Sequence, residues 1–164
     1  MEFDTNGRLP AGIHDITIDE FIVRFVDAFP TSQSRRIILD KLIEFYKEIS
    51  INGGIAEFWV DGSYVTNKIN PNDADIIVFV DYPQYIQIAP QYNYFRTAYN
   101  GILDIYFWIS QSEITKGLVS TNDFAKIVNQ RNYWRGQFGF DREDNPKGIV
   151  RIFNESLNDY ISRR

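Results

Sequence analysis

The chain has no cysteine and only one histidine among its 164 residues. The first absence excludes disulfides, thiolate zinc sites and cysteine nucleophiles. The second excludes a multi-histidine metal centre built by this chain alone. Any metal must therefore rest mainly on oxygen ligands, which suits magnesium or manganese. No apolar run approaches the roughly 18 residues of a membrane span, and the N-terminus lacks the basic-then-apolar order of a secretion signal, so a cytoplasmic protein without membrane contact is expected. Repeats, low-complexity tracts and linker-like stretches are missing too, which leaves a single domain over residues 1–164 as the simplest partition.

What is present is apolar and aromatic. Hydrophobic residues make up 44% of the chain and aromatics 16%, with 13 Phe and 10 Tyr, enough to bury a core and too many for a disordered chain. The formal net charge is -5, so no global field draws in a polyanion. The charge is uneven, however. From position 131 onward Arg131, Arg135, Arg142, Lys147, Arg151, Arg163 and Arg164 outnumber Asp141, Glu143, Asp144, Glu155 and Asp159, so this end is basic on an acidic body. Such a balance is compatible with a local phosphate site and argues against a long nucleic-acid footprint.

Residues 1–16, with Gly7, Pro10 and Gly12, read as an irregular N-terminal arm. Thr17 and Glu20 have capping-box spacing and open a short helix that ends near Pro30. A second helix is predicted from about Ser32 to Ser50, where Ile38, Leu42, Phe45 and Ile49 form one apolar stripe. Asn52-Gly53-Gly54 stops it. The pattern then becomes extended, with strands expected over 55–61, 73–81 and 102–110. The stretch 82–100, rich in Tyr, Gln and Pro, gives no clear period. A further helix is predicted over 121–134, then a glycine-bearing loop over 136–148 and a short strand over 149–153. Together these imply an α+β domain, a mixed β-sheet with helices packed on one face.

Chemistry is concentrated between Asp61 and Asp104. Side chains at i and i+2 of a strand project from one face, about 6.5–7 Å apart. Asp73 and Asp75 therefore converge on one side, while Ala74, Ile76, Val78 and Val80 cover the other. Two acids in an otherwise apolar strand repel each other and resist burial; a divalent cation resolves the conflict. Asp104 is a third acid in an apolar run and joins them if its strand lies beside the second. Gly62-Ser63 ends the first strand where the chain must turn sharply, and a glycine there permits close backbone approach to a phosphate. Asp61 and Asp81, which bracket strands, read as exposed turn acids.

Gly62-Ser63, then nine residues, then Asp73-Ala-Asp75, with Asp104 on a later strand, resembles the motif of the nucleotidyltransferase superfamily, including its polymerase-beta-like and minimal members. The resemblance covers roughly residues 53–109. It implies metal-ligand and catalytic roles for Asp73, Asp75 and Asp104, and nucleotide binding by Gly62 and Ser63. Two departures stand out: Ala74 replaces the usual larger aliphatic, and no arginine follows Ser63 closely, leaving Lys68 as the nearby cation for nucleotide phosphates. The flanks, Asn6-Gly-Arg-Leu-Pro-Ala-Gly-Ile-His14 and Tyr133-Trp-Arg-Gly-Gln-Phe-Gly-Phe-Asp-Arg142 with Pro146-Lys-Gly-Ile149, resemble a family of short, uncharacterised bacterial proteins sharing this core.

The expected activity is magnesium- or manganese-dependent transfer of a nucleoside monophosphate from a nucleoside triphosphate to a hydroxyl of a protein, an RNA or a small molecule. The alternative is a non-catalytic binding or regulatory module, such as part of a toxin–antitoxin or phage-defence pair, meeting a protein partner through the aromatic stretch Tyr82–Tyr99. Within that stretch Tyr82, Tyr85, Tyr92, Tyr94 and Tyr99 read first as packing residues. His14 reads as a structural or surface group. Arg135, Arg142 and Lys147, set among glycines, are candidate phosphate or partner contacts, with plain surface charge as the other reading.

Overall fold

A computed structural model describes residues 2–164. Thr17 caps the first helix reciprocally: its hydroxyl accepts from the amide of Glu20, and the Glu20 carboxylate accepts from the amide of Thr17. Helix α1 (Ile18–Ile22) runs into a π-helical turn, Val23–Asp27. Helix α2 (Arg35–Ser50) buries the predicted stripe together with Leu39 and Tyr46. The sheet holds β1 (Gly12–Asp15), β2 (Ile55–Asp61), β3 (Ala74–Val80), β4 (Leu103–Ile109) and β5 (Gly148–Phe153), in the order β1-β5-β2-β3-β4. β1 and β5 are parallel, as are β3 and β4, while β2 runs antiparallel to both β5 and β3. The fold is α+β with a mixed five-stranded sheet.

Helices cover both faces of that sheet, not one. Phe58, Val60, Ile76, Val78, Ile105 and Ile152 join the main core with α1, α2 and α7 (Asn154–Ser162). Trp59, Ile77, Phe79 and Ile149 point the other way, against Trp134 and Phe138 of α6 (Thr121–Phe138). β3 is thus apolar on both sides, as expected of a strand buried between two layers. Arg131 fastens α6 to the sheet: it pairs with the buried Glu57, and its guanidinium lies 4.6 Å from the ring centroids of both Trp59 and Phe79.

Six further elements depart from the sequence expectation. Part of the N-terminal arm is the edge strand β1. The stretch 82–100 is helical, as α3 (Tyr82–Ile88) and α4 (Tyr92–Ala98), and a short α5 (Glu113–Leu118) precedes α6. α6 continues through Gly136, so the loop is shorter than 136–148 and is pinched by a bridge between Phe140 and Pro146. The C-terminal α7 carried no capping signal. Among the described residues no helix is long and apolar enough to cross a membrane.

Candidate active site

β2 ends, and β3 and β4 begin, along one edge of the sheet. The register there pairs Asp61 with Asp75, and Asp75 with Asp104. Neighbouring strands lie about 4.8 Å apart, so three acids stand abreast on the α6 side of the sheet. Asp73, just before β3, adds a fourth. All four line one open cleft of about 1090 Å³. The structure therefore brings together Asp73, Asp75 and Asp104, with Gly62, Ser63 and Lys68 in the same cleft.

Asp61 corrects the sequence reading. It is 3% exposed, not an exposed turn acid. Its place was legible from alternation alone, because Trp59 and Asp61 share a face and Trp59 packs under α6. Asp81 is not a free turn acid either: its carboxylate accepts from the hydroxyls of Ser110 and Ser112.

Gly62 has φ +78°, and a Cβ there would collide with Oδ2 of Asp75. The glycine is required by the neighbouring carboxylate, whatever ligand also approaches. A 3-10 turn, Gly62–Val65, follows and buries Tyr64 and Val65. Arg35, fully buried at the start of α2, holds the next residues by donating to the carbonyls of Phe25, Tyr64, Thr66 and Lys68. This clamp sets Ser63, Thr66 and Lys68 along one wall of the cleft. The sequence offered no signal for it, since its partners are distant backbone carbonyls.

Burial pushes Asp61 up to about 6, against the pull of Lys147, whose ammonium is 2.5 Å from Oδ2. Its Oδ1 is buried with no hydrogen-bond partner among the described residues. Burial also raises Asp75, and repulsion by Asp73 and Asp104 adds to that. Tyr106 donates to Oδ2 of Asp104 at 2.7 Å, and burial together with that bond raises the tyrosine. Arg142 and Lys147 face the cleft, as does Arg8, which is paired with Asp141. Arg135 is not among the cleft residues. His14 sits on β1 with Nε2 2.7 Å from the Pro10 carbonyl, a structural contact.

Among the described residues no group of three or more His, Cys, Asp or Glu side chains stands ready-made to hold a metal. The donor chemistry nevertheless fits a hard cation. The acids offer only oxygen, they share one open cleft, and the mutual repulsion that opposes ionisation of Asp75 is what a cation relieves.

A family profile described as "Family of unknown function (DUF6932)" matches residues 1–153. The chain belongs to this family. Neither the curated proteins nor the solved structures give a match.

Proposed function

We propose that this family member is a metal-dependent nucleotidyltransferase that moves a nucleoside monophosphate from a nucleoside triphosphate to a hydroxyl acceptor. What carries the proposal is the register that sets Asp75 beside Asp104, with Asp73 and the Gly62-Ser63 turn in the same cleft. Asp73, Asp75 and Asp104 would hold magnesium or manganese, which when bound neutralises charge on the triphosphate. Lys68, Arg142 and Lys147 would complement the phosphates, and Ser63 would donate a hydrogen bond to one of their oxygens. Tyr106 donates to one oxygen of Asp104, and the lone pairs that remain on this carboxylate would serve both the metal and the proton of the acceptor hydroxyl. The acceptor oxygen then bonds to the α-phosphorus while the bond to pyrophosphate breaks, and pyrophosphate leaves. Positioning and fixed charge supply most of the rate. A polar hollow lined by Asn93, Arg96 and Asn100 also reaches Asp73 and Asp104, and it gives the acceptor, be it protein, RNA or small molecule, a way in that leaves the phosphate wall free.

The test is label transfer. Protein, radiolabelled nucleoside triphosphates, magnesium and cell extract should yield a labelled product, and Asp73→Asn with Asp75→Asn should yield none. The rival reading is a binding or regulatory module, such as half of a toxin–antitoxin or phage-defence pair. It is favoured by Ile86 and Tyr94, large side chains that stand exposed on α3 and α4. Absence of nucleotide binding at millimolar magnesium, with stable co-purification of one protein, would replace the enzyme by that module.

A further inference from the structure

Beside the acid row lies a second hollow, about 360 Å³, between the α3–α4 segment and α6. Its walls include Tyr85, Tyr92, Trp108 and Trp134, with the Gln130 amide at its edge and no charged residue in its lining. Tyr106 and Trp134 line both this slot and the acidic cleft, so the two adjoin. We propose that the slot takes the base of the nucleoside triphosphate, an inference that rests on the nucleotidyltransferase reading of the cleft.

Two observations support that occupant. Aromatic side chains stack the planar ring of any base, and six of them line this slot. The charge is partitioned: every cation and carboxylate of the site faces the cleft, none the slot, which matches a ligand with a polyanionic end and a neutral planar end. Gln130, which can both donate and accept, offers an edge contact. Tyr106 is two residues along β4 from Asp104, about 6.6 Å at strand spacing, a step that the sugar of one nucleotide can bridge.

The full chain tests this directly. Two of its three tryptophans, Trp108 and Trp134, line the slot, so intrinsic fluorescence reports occupancy alongside calorimetry. With magnesium, at least one of ATP, GTP, CTP and UTP should bind tenfold or more tightly than tripolyphosphate, which has no base, and should quench the fluorescence. Trp134→Leu should cut that gain below threefold and leave tripolyphosphate affinity as it was. Gln130→Leu, which leaves the aromatic walls standing, should lower the gain too, and it serves where Trp134→Leu disturbs folding. Tripolyphosphate binding as tightly as every nucleotide overturns the slot and spares the cleft, as does a full gain in both variants. Failure of tripolyphosphate and nucleotides alike overturns the cleft reading and the slot with it.

Discussion

Lys147 places its ammonium 2.5 Å from Oδ2 of Asp61, tying the loop after α6 to the last residue of β2. The pair sits one residue from Gly62 and across the register from Asp75. Attraction to Lys147 does not offset the loss of hydration, and Asp61 is pushed up to about 6. The folded chain therefore carries a carboxylate that it would more readily hold protonated.

That imbalance has a sign. The folded value of Asp61 lies above its ordinary 3.8, so between about pH 4 and 6 the native state binds more protons than the unfolded chain, and stability falls as pH rises through this window. The raised Asp75 adds to the same trend. Asp61→Asn should flatten much of the decline. Thermal unfolding from pH 4 to 7 measures it, and an unchanged slope in the variant would remove Asp61 as the source.

Asp75 is destabilised by burial and by two neighbouring acids. Asp75→Asn relieves both and should raise the stability of the ligand-free protein. It should also abolish the rise in Tm that magnesium with nucleotide gives the wild type by mass action. A variant that kept the full ligand-induced rise would show that the acids are not the site.

Gly62→Ala places a side chain at φ +78° and against Oδ2 of Asp75. The left-handed conformation alone costs roughly 1–2 kcal/mol, and the displaced carboxylate should lower magnesium–nucleotide affinity at least tenfold. Ser63→Ala removes one hydrogen bond and should cost about 1–2 kcal/mol of nucleotide binding with Tm unchanged. Calorimetry on both variants separates the turn's shape from its hydroxyl. Equal losses would mean that the collision with Asp75 is absorbed.

The parts of the fold legible in advance were those where period and burial agree. β2, β3, β4 and α2 follow from alternation and from one apolar stripe, and Asp73, Asp75 and Asp104 stood out as acids in apolar strands. Asp61 was lost because the glycine after it suggested a turn, although the strand runs to Asp61 itself. The 82–100 segment is held by tertiary contacts with no local period to show them: Phe95 and Tyr99 pack edge-on against Phe45 of α2. α7 follows β5 without a break, and Phe153 stands where a capping side chain is usual. The second helical layer depends on Arg131 meeting Glu57, 74 positions away in the chain and invisible to any local pattern.

Arg35 yields the sharpest test of how the cleft wall is held. It is fully buried, and its guanidinium donates to four backbone carbonyls: Phe25 at 2.7 Å, Tyr64 at 2.7 Å, Thr66 at 2.7 Å and Lys68 at 2.6 Å. The ring of Phe29 lies 3.7 Å from its carbon centre. Burial lowers the group to about 10, so it stays charged at neutral pH. A planar fork can reach four carbonyls at once, whereas the single ammonium of lysine cannot. Arg35→Lys should therefore strand at least one carbonyl and cost about 2–4 kcal/mol, since each unsatisfied buried group costs about 1–3 kcal/mol. Arg35→Met strands all four and should cost more. Because the carbonyls of 64, 66 and 68 are lost together, residues 62–68 should exchange amide hydrogens faster in Arg35→Lys, while β3 and β4 keep their protection. Nucleotide affinity should fall with them, as Ser63 and Lys68 lose their fixed positions. Urea unfolding with hydrogen exchange settles it: a loss below about 1 kcal/mol, or exchange that rises evenly across the sheet, would mean that Arg35 serves the core at large and not this wall.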